Sequence, residues 1–374
     1  MIRIDEIYNN TLWPWIKKNH PGVRMFLCDP FGRTDLDSLV NYGTDDIPEH
    51  NYTLLWDQEP IHLNIHSELF ANVFHRNRDL RNATKYLCST TNNHQIGSII
   101  TSEKNSDAVE HMCKKFDWKS YYYFFHGWAA LDWYRGYNRT FLITPIEQRK
   151  IKKTFLAPNR IVAGERQHRL EMLYWIFKLG MTNNHISCPS VCPAENISIH
   201  DAILPLKKKY SDIDTIFNQQ MLPINFKDET SHPMRSCWLD LFDQSAESLL
   251  YLVTETVARG RRYHLTEKTF KPIALGMPFV IVGTQGSLKY LRSYGFKTFG
   301  HLWDESYDDE PDDSQRIEKI AQVLKQLEHS DLQGIFESAH EIIEHNWNHF
   351  YNGGFEQILW QELQDMLNEL EFNS

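Results

Sequence analysis

The apolar positions are most regular in the second half of the chain. Residues 249–253 and 279–282 are continuous apolar runs, which predict strands buried on both faces of a parallel sheet. Between them, Thr266 is a good N-cap for a helix, and Gly276 supplies the left-handed residue that ends one. A second helix is predicted from about residue 287 to 294.

This order of elements places a helix N-terminus at the carboxyl edge of a sheet, where open α/β folds bind ligands. Lys268 in the first turn and Arg262 upstream are cations suited to phosphate, and Glu267 is an acceptor suited to ribose hydroxyls. These residues predict a nucleotide site. The alternative is that Glu267 is an ordinary first-turn acid favoured by the helix dipole and Lys268 is solvated.

A second predicted anion site lies upstream. Residues 154–157 predict a strand, Arg160 follows in a turn, and a helix through residue 179 opens with Arg166 and Arg169. The alternative for Arg166 and Arg169 is a solvated helix face. The segment Thr254-Glu255-Thr256, at the carboxyl end of the strand predicted at 249–254, is expected near the base or ribose of a nucleotide.

The segment Thr266-Glu267-Lys268, followed by an apolar helix and then Gly-Met-Pro-Phe-Val-Ile-Val-Gly at 276–283, resembles the donor-binding signature of the α1,3/1,4-fucosyltransferase family. The resemblance lies within 263–299 and departs from the family pattern at Leu275 and Met277. It implies an inverting GT-B enzyme in which the Glu and the Lys bind the guanosine diphosphate part of GDP-fucose. Similar sequences occur in bacteriophage genomes, where they are called glycosyltransferase-like.

The resemblance also implies roles in the first half of the chain. An inverting transfer needs a base, and the family presents one as a Glu in a turn after a Trp-containing strand. Residues 52–56 predict such a strand, and Glu59 in the turn is the matching candidate, with Asp57 as a rival. His126, after a predicted aromatic strand at 121–125, is the next candidate and is expected to face a cleft. The alternative for Glu59 is a solvated turn acid.

Of the cations, Arg160 best matches the family arginine that contacts the donor diphosphate, and Arg166 and Arg169 come next. The implied fold is α/β of the GT-B type, with two Rossmann-like domains facing a cleft and C-terminal helices crossing back. We expect an acceptor-side domain at 1–149, a nucleotide-sugar-binding domain at 150–345, and a helix at 346–374 packing on the first domain.

Three closing helices are predicted near 314–327, 334–346 and 354–370. The acids Asp308, Asp309, Asp312 and Asp313 lie late in a polar loop, so they are expected to be solvated rather than metal ligands. His185, Cys188, Cys192 and His200 fit no standard zinc spacing, and no metal site is expected.

Composition narrows the class of protein. The chain has 374 residues, 41% of them hydrophobic and 13% aromatic, which argues against disorder. Its formal net charge of −10 disfavours bulk attraction to nucleic acid or to an anionic membrane. Residues 1–10 lack a signal-peptide pattern and no apolar run approaches a bilayer-spanning length, so we expect no membrane insertion and a cytoplasmic protein, in the host cytoplasm if it is viral.

The leading hypothesis is therefore an inverting, metal-independent glycosyltransferase that needs no cofactor besides its nucleotide-sugar donor. By resemblance, the best candidate reaction moves fucose from GDP-fucose to a glycan hydroxyl. Two alternatives stay open: a phage transferase that modifies DNA, and a nucleotide-sugar-binding protein without catalytic activity.

Overall fold

The computed structural model describes residues 12–23, 25–28, 52–56, 60, 96–134, 144–226 and 239–372. The chain divides into two compact units. The first holds Met1–Ala129, Arg261–His264 and Glu356–Ser374, and the second holds Ala130–Gly260 and Leu265–Phe355. The predicted division at 149 and 345 stays a prediction.

The described elements alternate between strands and helices, as expected for an α/β chain. The strands are β1 Met25–Cys28, β2 Tyr52–Trp56, β3 Ile96–Thr101, β4 Lys119–Tyr122, β5 Lys153–Ala157, β6 His185–Ile186, β7 Val191–Cys192, β8 Ile197–Ser198, β9 Ser248–Thr254 and β10 Phe279–Val282. The helices are α1 Trp13–Asn19, α2 Asp107–Phe116, α3 Phe125–Tyr134, α4 His168–Lys178, α5 Ile199–Ala202, α6 Ile213–Asn218, α7 Phe242–Glu247, α8 Glu267–Ala274, α9 Ser287–Ser293, α10 Asp313–Leu327, α11 Leu332–Ser338, α12 His340–Tyr351 and α13 Gly354–Phe372.

The sheet of the first unit has the strand order β1-β2-β3-β4, and all three pairs are parallel. Leu55 of β2 lies opposite Ile100 of β3, and both side chains are fully buried. The predicted strand at 52–56 is confirmed, and the one predicted at 98–101 begins two residues earlier. The predicted α/β class with parallel strands is therefore confirmed, and the GT-B arrangement stays a prediction.

Tryptophan side chains pack together inside the first unit. Trp360 of α13 lies with its ring centroid 5.2 Å from that of Trp15 and 4.9 Å from that of Trp128. The indole N–H of Trp128 donates to the Tyr123 hydroxyl. Burial raises the pKa of Tyr123 well above its usual value, so this hydroxyl stays neutral. The C-terminal helix thus supplies part of the aromatic core of this unit.

The predicted aromatic strand at 121–125 is corrected. The strand β4 ends at Tyr122, and α3 begins at Phe125. Ser102 Oγ donates to the Tyr123 carbonyl (3.2 Å) and accepts from the Phe125 N–H (3.2 Å), so backbone groups that a strand would pair laterally bond to a side chain. A tertiary hydrogen bond ends the strand where the residue types alone favour its continuation.

The sheet of the second unit has the strand order β10-β9-β5-β6, again with parallel pairs only. All seven residues of β9 and all four of β10 are buried. The two continuous apolar runs therefore form the strands that they predict. A short antiparallel pair, β7 and β8, is separate from this sheet.

The tail and the acidic loop differ from expectation. The predicted helix at 334–346 is two helices, α11 and α12, because Asp331 caps the N–H of Gly334 and the first helix ends before the buried Ala339. Asp308 is buried rather than solvated: its carboxylate accepts from the N–H groups of Leu288 (2.9 Å) and Lys289 (3.0 Å) at the start of α9. Asp309 and Asp312 are exposed, as expected, while Asp313 is half-buried.

Among the described residues, no helix combines the length and the apolar character that crossing a membrane requires.

Helix α8 is held in the second unit by Phe270, which is fully buried. Its ring centroid lies 5.1 Å from that of Phe355, 5.7 Å from that of Phe296 and 5.8 Å from that of Phe350. This aromatic cluster lies behind the helix that carries the predicted nucleotide residues, and it fixes the helix against the rest of the unit.

We expect Phe270→Ala to lower the free energy of unfolding by about 3–5 kcal/mol, because it removes a buried ring and leaves a cavity. Phe270→Leu should cost only about 1 kcal/mol, since it keeps most of the volume. Urea denaturation measures both. Phe372→Ala is the matched control, because this ring is 90% exposed; an equal loss in Phe372→Ala and Phe270→Ala would contradict the packing argument.

Candidate functional site

The carboxyl ends of β5, β9 and β10 share one edge of the second sheet, because these strands are parallel neighbours. The loop after β5 and the end of β9 are joined there by a hydrogen bond from Thr254 Oγ1 to Asn159 Oδ1 (3.3 Å). The residue after β9 is Glu255, and it binds the start of α8. The edge thus brings together two loops and a helix N-terminus, which is the usual ligand position in parallel α/β sheets.

Glu255 is a fully buried carboxylate that accepts four hydrogen bonds. Oε1 accepts from the Thr266 N–H (3.0 Å) and the Thr269 hydroxyl (2.6 Å). Oε2 accepts from the Thr266 hydroxyl (2.5 Å) and the Thr256 N–H (3.2 Å). Each oxygen has two donors, and the positive end of the α8 dipole adds to them. Glu255 therefore ties the end of β9 to the first turn of α8.

Thr266 is the N-cap of α8, as predicted. Its backbone is extended, and Oγ1 accepts from the Lys268 N–H at 3.4 Å. The same hydroxyl donates to Glu255, so it serves the cap and the buried carboxylate together. Gly276, with φ of +62°, is the left-handed residue just beyond the helix, again as predicted.

The ammonium of Lys268 lies over the first turn of α8 and has three acceptors. Nζ donates to Glu267 Oε1 (2.7 Å), Thr256 Oγ1 (3.1 Å) and Thr266 Oγ1 (3.3 Å). The side chain keeps 29% of its surface exposed. Lys268 is therefore not a freely solvated lysine but a placed cation at a helix N-terminus.

Glu267 is the first residue of α8, and its side chain is almost completely buried. Its carboxylate pairs with Lys268, and its carbonyl oxygen accepts from the Tyr134 hydroxyl at 3.4 Å. Adjacent residues thus offer an acceptor and a donor at the same helix end. This is the combination that binding both hydroxyls and phosphate requires.

Arg169 has a different environment from the one expected of a ligand-binding cation. Its guanidinium donates to the carbonyls of Ile161 (2.8 Å), Thr254 (3.0 Å) and Glu255 (3.1 Å). Burial lowers the pKa of Arg169 to about 10, which still leaves it charged at neutral pH. Arg169 joins the loop after β5 to the end of β9, and its charge adds to the positive potential at this edge.

His168, the first residue of α4, is fully buried beside Arg169. One ring nitrogen, Nε2, lies 2.9 Å from the Glu255 carbonyl and donates to it. Burial, together with the positive charge of Arg169, holds the pKa of His168 well below its usual value. The ring is therefore neutral at neutral pH and serves as a hydrogen-bond donor that orients the loop after β9.

The remaining predicted cations of this unit are less buried. Arg160 is half-buried in the loop after β5, and Arg166 is half-buried in the short helix Gly164–Arg166 that precedes α4. The charge of Arg166 acts on both His168 and Arg169, in each case lowering the pKa. Arg160 and Arg166 thus keep accessible surface, as Lys268 does.

The C-terminal end of α8 is fixed by Arg149. Its guanidinium donates to the carbonyls of Leu275 (2.6 Å), Gly276 (2.7 Å) and Thr144 (3.0 Å). Because the last carbonyls of a helix have no partner within the helix, an arginine here satisfies groups that would otherwise need water. Burial lowers the pKa of Arg149 to about 10. With Glu255 at one end and Arg149 at the other, α8 is anchored at both termini.

Two predicted site residues belong to the first unit. Arg262 is buried there and pairs with Glu103 Oε1 at 2.9 Å. His126, in α3, is also buried, with its ring centroid 5.0 Å from that of His264 in an edge-to-face contact. The prediction that His126 faces a cleft stays a prediction. Asp57 and Glu59 lie outside the described residues.

The segment considered for zinc holds two buried cysteines. Cys192 Sγ lies 2.8 Å from Glu195 Oε2, and burial raises the pKa of Cys188 to about 12. In the part of the chain that the structure describes, no three His, Cys, Asp or Glu side chains form a group able to hold a metal ion.

The role missed by the sequence analysis is that of Glu255, which lies in the segment Thr254-Glu255-Thr256 expected near the base or ribose of a nucleotide. The available signal was an acid placed directly after a long apolar strand, at the edge where loops converge. Its four donor groups belong to three residues, Thr256, Thr266 and Thr269, and only the folded loop brings them onto one carboxylate.

Comparison of the chain with family models, curated proteins and solved structures gives no match.

We expect Glu255→Gln to lower the free energy of unfolding by about 2–4 kcal/mol, because the new amide group faces buried donors and leaves them unpaired. Urea denaturation measures this loss. Glu318→Gln on the exposed face of α10 is the matched control and should change stability by less than about 0.5 kcal/mol. Equal stability of Glu255→Gln and the wild type would contradict the assigned hydrogen bonds.

We also expect the free energy of unfolding to fall as the pH drops below about 6.5, the usual pKa of histidine. Below that pH His168 binds a proton in the unfolded chain, whereas the buried His168 of the folded chain stays neutral. His168→Gln keeps a donor for the Glu255 carbonyl and removes this proton. Its stability should fall less steeply, by up to about 1.4 kcal/mol per pH unit. Urea denaturation of both proteins between pH 7 and 5 measures the difference, and parallel curves would contradict a neutral His168.

Proposed function

We propose that the protein is an inverting glycosyltransferase of the GT-B type that uses a nucleotide-sugar donor. The observation that supports this most directly is the edge of the second sheet. Two loops after parallel strands, the N-terminus of α8 and the placed ammonium of Lys268 converge there. Of the residues at this edge, Thr266, Glu267 and Lys268 belong to the segment that resembles the fucosyltransferase donor signature.

In this proposal the donor diphosphate lies at the N-terminus of α8. Lys268 faces its negative charge at the positive end of the α8 dipole, and Arg160 and Arg166 approach from the other side of the edge. Glu267 accepts from ribose hydroxyls once the ligand oxygen replaces it on Lys268. Arg169 does not bind the donor directly in this proposal, because its guanidinium is bonded to backbone carbonyls.

The reaction is a direct displacement. The acceptor hydroxyl oxygen forms a bond to the anomeric carbon, the bond from that carbon to the diphosphate oxygen breaks, and the hydroxyl proton passes to a base of the protein. Glu59 is the first candidate for the base, with Asp57 and His126 next. The leaving diphosphate gains negative charge as the bond breaks, and the fixed ammonium of Lys268 stabilises that charge.

The resemblance points to fucose from GDP-fucose as the sugar and to a glycan hydroxyl as the acceptor. Closure of two domains around the donor, with α13 crossing back, belongs to the same proposal.

We expect one of GDP, UDP, ADP and CMP to bind clearly more tightly than the others, with GDP as the first candidate. Lys268→Ala should weaken that binding about 10- to 100-fold, since a hydrogen bond to a charged group contributes about 1.5–3 kcal/mol. Isothermal titration calorimetry measures the dissociation constants, with and without EDTA, and chelation should leave them unchanged.

Lys178→Ala is the matched control for this titration. Lys178 also bonds a hydroxyl, that of Tyr174 at 2.6 Å, and pairs with Asp212, but it lies at the C-terminal end of α4. Its removal should leave nucleotide binding unchanged. If none of the four nucleotides binds the wild type, the proposed function is wrong.

We expect Glu59→Gln to reduce sugar transfer by at least about 100-fold, the lower range of general-base contributions, while nucleotide binding stays unchanged. Asp57→Asn, made in parallel, should have a smaller effect. The assay measures the nucleoside diphosphate that is released when sugar is transferred from the preferred nucleotide sugar. A larger loss in Asp57→Asn would assign the base to Asp57, and full activity in both variants would contradict a carboxylate base in this turn.

A further inference from the structure

We propose that Thr256 is a positioning residue, which holds the Lys268 ammonium over the first turn of α8 so that it is in place before an anion arrives. This inference rests on the proposed function, because it assigns the anion to the diphosphate of the donor.

The geometry begins with two threonine hydroxyls that converge on one nitrogen. Thr256 Oγ1 accepts from Lys268 Nζ at 3.1 Å, and Thr266 Oγ1 accepts from it at 3.3 Å. Thr256 lies after β9 and Thr266 at the start of α8, so the ammonium is held from both sides of the loop 255–266. Both threonines are buried, which leaves their hydroxyls few other orientations.

Glu255 sets the direction of these hydroxyls. The Thr266 hydroxyl donates its hydrogen to Glu255 Oε2, so its lone pairs accept from the backbone N–H and the ammonium of Lys268. The Thr256 N–H also donates to Oε2, which fixes the backbone that carries the second hydroxyl. The buried carboxylate thus orients neutral acceptors toward the lysine without touching it.

The third acceptor of the ammonium is Glu267, at 2.7 Å. A lysine has three N–H groups, so an incoming phosphate oxygen must replace one of the three acceptors. Glu267 is the acceptor that has a use elsewhere, on the hydroxyls of the ligand. The two threonines then keep the ammonium in place during this exchange.

Holding the lysine matters because a free lysine side chain loses about 1.5–2 kcal/mol of conformational entropy when it is fixed. In this site that cost is met on folding rather than on binding, which strengthens the binding of the ligand. Thr256 therefore contributes to affinity although it need not touch the ligand.

A double-mutant cycle tests this role. Thr256→Val removes the hydroxyl and keeps the shape, and it should weaken binding of the tightest of GDP, UDP, ADP and CMP about 5- to 10-fold, or about 1–1.4 kcal/mol. Thr256→Ser should restore the affinity. In a Lys268→Ala background, Thr256→Val should change the dissociation constant by less than about two-fold, because its effect passes through the lysine. The same weakening in both backgrounds would overturn the proposal.

A measurement without any nucleotide separates this inference from the proposed function. Competitive acetylation with acetic anhydride, read by mass spectrometry, gives the reaction rate of Lys268 in each variant. We expect Thr256→Val to speed the acetylation of Lys268 several-fold. The ammonium must turn away from its acceptors and lose a proton before the nitrogen lone pair can attack the anhydride, and the Thr256 hydroxyl is one of those acceptors.

Thr298→Val is the matched control. The Thr298 hydroxyl also accepts from a cation, Arg292 at 2.9 Å. It donates to Glu305, and neither of these two hydrogen bonds involves α8. Thr298→Val should leave the acetylation rate of Lys268 unchanged. Equal rates in the wild type and Thr256→Val would overturn the positioning role. A faster rate in Thr256→Val, together with no binding of any of the four nucleotides in calorimetry, would support the positioning role and contradict the proposed function.

Discussion

The second unit depends on one buried carboxylate at the edge of its sheet. Glu255 accepts hydrogen bonds from its own loop and from the first turn of α8, so the end of β9 and the start of α8 have fixed positions relative to each other. A buried carboxylate is costly unless its oxygens are fully bonded, and here the bonds and the helix dipole meet that need. The position of Lys268 follows from this arrangement, because both threonines that hold its ammonium are bonded to Glu255.

The charged residues around this edge divide into two groups. Arg169 and Arg316, the latter in α10, are buried and bond backbone carbonyls, as Arg149 does at the other end of α8, which makes them parts of the scaffold. Lys268, Arg160 and Arg166 retain accessible surface. A guanidinium has five N–H groups in a rigid plane and suits several carbonyls at once, whereas an ammonium on a flexible stem needs neighbours to hold it. This difference explains why the lysine, and not the arginines, is surrounded by oriented hydroxyls.

Much of the second unit could be predicted from the chain. The runs at 249–254 and 279–282, the cap at Thr266 and the stop at Gly276 were recognisable because they depend on local rules of burial and backbone conformation. The site was only partly predictable. Glu267 and Lys268 stood out by their motif, but Arg169 looked like a ligand-binding residue, and the role of Glu255 went unrecognised. Whether a cation meets a ligand or a carbonyl depends on which backbone groups the fold leaves unpaired beside it.

The sequence by itself determined the class of the fold and the order of its elements, because apolar periodicity and capping act over a few neighbouring residues. Only the tertiary structure decided that the strand before Phe125 stops at Tyr122, that Asp308 caps a helix, and that Glu255 gathers donors from 256 to 269. In each of these cases the partner is a group distant along the chain or brought near by a folded loop. Hydrogen bonds act over about 3 Å in space, so chain order alone does not identify the partners of a buried polar side chain.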